Sequence, residues 1–454
     1  MNIRWFAALV VLAGVVPACA LESVPKAEYH ERRVALAGKL KGGVAVLFAA
    51  EQPLVDFMPY RQDEDFYYLT GWTEPGAAVV IVAATDAVAA DAATATAARP
   101  AQPYREILFL PTRNERVEKF TGAKMDATTP GAAATAGFDE VQPMTAMPGV
   151  LNALVASDRE RLRKMAVEPG SAPAQALLGF TATTLGLDAA PPTVNVAELV
   201  VPLRAVKSEA ELALLKKASD ASIAAQMAEM KAVRPGVKER KVAGLITETL
   251  MDEGCERVSY APIVGSGANA TTLHYSDNSA VMQAGDVVVI DAAGEYSMYA
   301  SDITRTLPVN GKFTARQREI YDLVLGAQRA AAAAFVAGKS KINDPLHKEP
   351  DSLDQVAFAY INAHGKDLHG QPLGQYMVHG LGHLVGIDVH DPWDYTKPLD
   401  KGMVFTIEPG IYLPEEKIGV RIEDVFYVDA DGKLVDLIAA LPHEAAEIEA
   451  AMRH

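Results

Sequence analysis

At 454 residues the chain is too long for one ordinary hydrophobic core, so two domains are expected. Half of its residues are apolar and 22% are charged, which excludes a disordered or lipid-embedded chain. A formal charge of −16 argues against nucleic acid or an anionic membrane as the main partner, but selects no substrate.

Residues 1–20 differ in kind. One positive charge, Arg4, precedes an apolar run from Trp5 to Val16 that is short for a bilayer span. Pro17 breaks the run, and Ala18-Cys19-Ala20 has the small-x-small pattern of a signal-peptidase site. The segment reads as a cleaved signal peptide, which implies export to the periplasm or medium and no membrane span in the mature chain. Two alternatives stay open: a membrane anchor or buried N-terminal helix, and a lipoprotein acylated at Cys19, which Pro17 disfavours. Cleavage leaves Cys255 as the one cysteine, so no disulfide can form within the chain, and Cys255 reads as a small buried residue.

From Pro25 to Leu40 the apolar spacing predicts an amphipathic helix, and Val44 to Ala49 a strand. The word PYRQDEDFYYLTGWTEPG, residues 59–76, groups Phe66, Tyr67, Tyr68 and Trp72. These suit a domain core or subunit contact better than a ligand pocket. The Ala-rich stretch Thr85 to Pro103 separates two strand-like runs, Val79–Ala83 and Glu106–Leu110, and reads as an inserted surface loop. Residues 113–200 alternate helical and strand-like pieces with no ligand or nucleophile spacing. Prolines at 191, 192 and 202 bracket the end of a first domain, taken as residues 21–203, with a second over 204–454. Ser208 and Glu211 form a capping-box signature that opens a helix to about Val233, and a second helix covers about Lys238 to Glu253.

The stretch DVVVIDAAGEYSMYASDITRT, Asp286 to Thr306, drives an apolar β-branched run into Asp291 and brings Asp302 eleven residues later. Carboxylates at buried strand ends are costly unless a cation meets them, and two facing one another repel. Taken alone, the pair reads more readily as two solvated turn residues. Downstream, HGLGHLVGIDVHD holds His379 and His383, four apart as on one face of a helical turn, and then His390. Glu408 in FTIEPGIY and Glu423 in GVRIEDVFYV repeat the acid-at-a-strand arrangement. Four carboxylates and one imidazole form a hard donor set suited to two divalent ions such as Mn²⁺, Co²⁺ or Zn²⁺. No thiolate is present for a structural zinc site.

In this order, D-x10-D, H, E, E, and in the words LHY, DITRT, HGxxHxxGxDVHD, IEPGIY and RIED, the chain resembles the pita-bread metallopeptidases of family M24. Within them it resembles aminopeptidase P, the Xaa-Pro aminopeptidases, and YRQDEDFYYLTGWTEP resembles that family's N-terminal domain. The resemblance implies an α/β chain: a smaller N-terminal α/β domain followed by a pita-bread domain, a curved antiparallel sheet backed by helices. It implies Asp291 on one ion, Asp302 and Glu423 bridging two, and His383 and Glu408 completing the shells. The most expected metal is Mn²⁺. His390 would steady the substrate carbonyl, His379 the proline side, and His274 would stand at the mouth, with Tyr412 and Arg421 orienting the cluster and Glu408 moving a proton. Proline-containing peptides are the expected partners, and a homodimer or homotetramer the expected assembly. Two departures stand out: Ser301 where the family usually has glycine, and the pocket-shaping segment Asn343 to Gly374.

Three other functions compete with this one. A prolidase restricted to Xaa-Pro dipeptides is the nearest. A metal-free peptide-binding module is disfavoured because all five ligands are present. A methionine-type aminopeptidase would leave the large first domain unexplained.

Overall fold

The computed structural model describes residues 21–53, 59–87, 89, 100–157 and 159–453. The expected signal peptide, with Cys19, lies outside them, as does the middle of the Ala-rich insertion; the ends of that insertion are pinned where Thr85 and Gln102 exchange two 2.9 Å backbone hydrogen bonds. No helix among the described residues is long and apolar enough to cross a membrane.

The N-terminal domain is built on one mixed sheet in the order β4-β3-β2-β1-β5-β6. Its strands are β1 (Val44–Phe48), β2 (Ala78–Val82), β3 (Arg105–Leu110), β4 (Glu140–Pro143), β5 (Met165–Val167) and β6 (Val194–Asn195). β1, β2 and β3 pair antiparallel, and β4, β5 and β6 add in parallel. β1 and β2 are almost wholly apolar and buried on both faces, as a sheet covered on two sides requires. The helix Lys26–Lys39 packs on one face, where Arg33, fully buried, makes a bidentate pair with Glu106 at 2.7 and 2.9 Å. The aromatic word forms the helix Glu64–Thr70, capped by Asp63 through a 2.7 Å bond from the Phe66 amide. Phe66, Tyr67 and Tyr68 are buried in the core. Gly71 ends that helix at φ 62°, and a Cβ there would sit 2.6 Å from the Tyr29 ring, so both conformation and space require glycine.

The helix Val196–Arg204 leads into the C-terminal domain, whose first long helix, Glu209–Ala232, opens with the Ser208/Glu211 capping box read from the sequence. Every strand pairing here is antiparallel. In the first half, β7 (Arg257–Val258), β8 (Ile263–Ser266), β9 (Val287–Asp291), β10 (Gly294–Tyr296), β11 (Tyr299–Ala300) and β12 (Thr304–Pro308) make the ladders β12-β9-β8 and β11-β10-β7. Gly294–Tyr296 is strand β10, and the chain reverses after it at Ser297 and Met298, both at positive φ. In the second half, β13 (Val404–Ile407), β14 (Gly410–Leu413), β15 (Ile418–Arg421), β16 (Asp424–Val428) and β17 (Leu434–Asp436) make β13-β16-β17 and β14-β15. A bridge from Thr304 to Glu423 joins the halves. The helices Glu209–Ala232, Glu239–Asp252, Ala315–Ala334 and Leu353–His364 back the sheets. This is the pita-bread arrangement.

Ser301, unexplained in the sequence, is fully buried, its hydroxyl 3.1 Å from that of Ser219 on the long helix. It fastens helix to sheet behind Asp302 and does not face the cavity. Cys255 is buried, as expected, and burial pushes its thiol up to about 12.

Candidate metal centre

The four acids stand at strand ends because each apolar run stops where the sheet opens into a cavity of about 610 Å³. Asp291 closes β9, Asp302 precedes β12, Glu408 follows β13 and Glu423 lies between β15 and β16. Asp291, Asp302 and Glu423 are buried, with oxygens within 4.8 Å of one another. His383, Glu408 and Glu423 form a second group within the same reach. His383 Nε2 lies 3.3 Å from Asp302 and 3.5 Å from Glu408, while its Nδ1–H donates to the Leu384 carbonyl at 3.1 Å. That backbone bond selects the tautomer whose free nitrogen points at the acids.

Such crowding is unfavourable without positive charge. Burial raises Asp291 above its ordinary range, and burial with the facing acids raises Glu423 well above it. Burial brings Glu408 up to about 7. For His383 burial acts downward, but Asp302 and Glu408 outweigh it and hold the imidazole at about 9. Without a cation, then, the cluster gathers protons. Four carboxylates and one correctly oriented imidazole fit divalent ions, which would take the place of those protons.

Around this centre, Arg421 Nη2 donates to Asp291 at 2.6 Å, its Nε to Thr304 Oγ1 at 3.1 Å and its Nη1 to the Tyr412 hydroxyl at 2.8 Å. The Thr304 hydroxyl donates a hydrogen bond to Glu423 at 2.7 Å. Tyr412 in turn reaches His379 Nε2 at 2.9 Å, and His379 Nδ1 meets the Gly380 carbonyl at 2.8 Å. Burial, aided by Arg421, lowers His379 to about 4, so it is neutral at pH 7. The His390 ring lies tilted at 45° against that of His383, with centroids 3.9 Å apart, and is exposed at the cavity. His274, an exposed residue, lines the same cavity. Every site residue expected from the sequence therefore lines this cavity, except Tyr412, which is bound to two residues that do.

One local expectation fails. His379 and His383 do not lie on a helical turn; the segment runs extended beside β13, with Glu408 N bonded to Leu381 O and Thr406 N to His383 O, both at 2.8 Å. Gly382 permits this, since a Cβ there would come within 2.2 Å of the Thr406 carbonyl. Sequence reading also missed Tyr260, whose hydroxyl lies 2.5 Å from both Asp291 and Asp302, and Asn343. Asn343 Oδ1 accepts from Leu381 N and its Nδ2 donates to Gly382 O, each at 2.8 Å, so the divergent segment pins the histidine-bearing loop. The only signal for Tyr260 was its place just before β8.

The chain matches two family models: "Metallopeptidase family M24" over residues 213–430 and "Aminopeptidase P, N-terminal domain" over 29–162. It is 31% identical to a Xaa-Pro aminopeptidase of Haemophilus influenzae over 94% of this chain and 98% of that one. It is 32% identical to the Escherichia coli Xaa-Pro aminopeptidase over 95% and 99%. The structure of zinc-substituted E. coli aminopeptidase P in complex with product superposes with a TM-score of 0.79 at 29% identity, covering 95% of this chain and 99% of that one. Proline aminopeptidase P II of Yersinia pestis gives 0.78 at 29% identity, covering 94% and 99%. With its two domains matched and its relatives aligned end to end, this chain belongs to the M24 metallopeptidases, in the aminopeptidase P group.

Proposed function

We propose that this hydrolase removes the N-terminal residue from peptides whose second residue is proline, using two divalent ions held by Asp291, Asp302, His383, Glu408 and Glu423. The observation that carries the reading is the convergence of those five donors in one cavity of a chain whose full-length relatives are Xaa-Pro aminopeptidases. A bond to proline has no N–H, which suits a site that needs no β-like pairing with the substrate backbone.

When bound, the ions would supply Lewis-acid polarisation of the scissile carbonyl and acidify a water. The chain's own groups do the rest. Glu408 is the most cavity-exposed of the four acids, and it carries a proton from the attacking water to the leaving proline nitrogen. His390 donates to the substrate carbonyl oxygen as charge gathers there. His379, held neutral and tied to Tyr412, borders the proline side. Arg421 and Thr304 hold Asp291 and Glu423 in place.

Mn²⁺ suits the oxygen-rich donor set best, with Co²⁺ and Zn²⁺ as working substitutes. Residues 1–20 act as a signal peptide, so the mature enzyme works outside the cytoplasm, and it assembles as a homodimer or homotetramer. N-terminal sequencing of the exported protein and sedimentation test these two points.

The deciding experiment compares Xaa-Pro with Xaa-Pro-Xaa peptides on the Mn²⁺-loaded enzyme. Faster turnover of the longer peptides supports the aminopeptidase reading; a preference for dipeptides would make it a prolidase.

A further inference from the structure

Two charged residues of the aromatic word tie the N-terminal domain to the loop Gly386–Asp391, which carries His390: Arg61 directly and Asp65 through Arg204. That loop is neither helix nor strand. The His390 main-chain amide donates to Asp388 Oδ1 at 3.2 Å, but among the described residues its ring nitrogens have no hydrogen-bond partner. The direction of the imidazole therefore depends on the path of the loop.

The N-terminal domain holds that path directly at one point and through Arg204 at a second. Arg61 Nη2 donates to the Ile387 carbonyl at 2.7 Å, three residues before His390. Its Nε is fixed by Glu295 at 3.1 Å, and Glu295 is itself clamped by Arg257 at 2.9 and 2.8 Å. One residue after His390, buried Asp391 accepts from Lys207 at 2.7 Å and from Arg204, whose other nitrogen bonds Asp65 at 2.7 Å. Asp391 also accepts from the Asp388 amide at 3.3 Å, closing the loop on itself. Buried ion pairs of this kind are weak stabilisers against an apolar replacement, and their best-attested use is to set a unique geometry.

We infer that Arg61 and Asp65 are positioning residues for His390: the N-terminal domain sets the loop, and so the imidazole, against the substrate carbonyl. This rests on the reading of His390 as a substrate-facing group.

A double-mutant cycle on the full Mn²⁺-loaded chain tests it, using Arg61→Ala, His390→Ala and the pair, with a saturating Xaa-Pro-Xaa peptide. Displacing a catalytic group by about 1 Å can cost ~100-fold, so Arg61→Ala should lower kcat by about 10- to 100-fold while KM and metal content hold. On the His390→Ala background the same change should alter kcat less than about twofold. An equal loss on both backgrounds overturns the positioning role while leaving that of His390 intact. A His390→Ala enzyme of unchanged kcat overturns the reading of His390 and the inference with it. Amide exchange supplies a readout independent of turnover: in metal-free Arg61→Ala, residues 386–391 should exchange faster at an unchanged melting temperature, and unchanged protection counts against the inference. Arg61→Lys, which keeps a charge beside Glu295 but cannot also span to Ile387, carries the same cycle if the alanine variant does not fold.

Discussion

Gln226 and Gln328 stand at equivalent posts in the two halves of the C-terminal domain. Gln226 Nε2 donates to the carbonyls of Ala292 and Ile303, at 3.1 and 3.2 Å, the residues directly after Asp291 and Asp302. Gln328 Nε2 donates to those of Ile407 and Ile422, at 3.0 and 3.4 Å, directly before Glu408 and Glu423. Each buried amide thus ties together, from behind, the two strands that carry one pair of acids. Gln226→Leu leaves buried carbonyls short of a donor and should cost about 1–3 kcal/mol, read as a lower urea midpoint. Metal affinity should fall about 10- to 100-fold, as is typical when a group supporting the ligands is lost, and Mn²⁺ titration checks this. A variant with normal affinity would show that the strands hold the acids unaided.

Asp302 faces two other buried acids but also His383 Nε2 at 3.3 Å and the Tyr260 hydroxyl at 2.5 Å, so repulsion and attraction oppose one another in the metal-free fold. Asp302→Asn should leave the melting temperature of the chelated protein little changed. Bound metal should drop to one ion per chain or fewer by elemental analysis, and turnover should vanish. A variant holding two ions, or turning over normally, would remove Asp302 from the proposed ligand set.

Far from the cavity, burial pushes the Glu106 carboxyl up, and hydrogen bonds from Arg33 and Tyr104 outweigh it, leaving the group below its ordinary 4.5. The charged form is favoured in the folded state, so this stabilisation is present above about pH 4.5 and is lost as pH falls through the lower folded value. Glu106→Gln leaves Arg33 buried without its counter-charge and should cost about 3–5 kcal/mol at pH 7. The gap between variant and wild type should narrow below pH 4.5; urea titrations at pH 7 and pH 4 would reveal a gap that stays constant.

Cys255 should resist thiol reagents in the native protein and react fully in denaturant. Gly294 lies against it: a Cβ there would stand 2.5 Å from the sulfur and 2.8 Å from Leu250. Gly294→Ala should therefore cost about 1–3 kcal/mol by overpacking, measured by thermal unfolding. Rapid native labelling of Cys255 would contradict this packing.

The four acids were legible as candidates because each ends or adjoins an apolar β-branched run where burial is costly, but the resemblance to the M24 family, and not local pattern, marked them and His383, one of three nearby histidines, as the ligand set. The capping box at Ser208 and the core role of Phe66, Tyr67 and Tyr68 were legible for similarly local reasons. Local pattern failed where tertiary pairing decided the outcome. A spacing of four between His379 and His383 suits a helix, yet the segment lies extended because β13 offers its backbone a ladder and Gly382 lets it come close.

Sequence by itself marked the acids that end or adjoin apolar β-branched runs, because a carboxylate buried there is costly without a cation or a donor. Only the tertiary structure decided what holds them. Tyr260 between the two aspartates, Asn343 on the histidine loop, Ser301 against Ser219, and Arg61 and, through Arg204, Asp65 holding the His390 loop all act on partners far away along the chain. Such contacts leave no periodicity or local composition behind, because hydrogen-bond geometry is set by the packing of whole elements and not by neighbours in sequence.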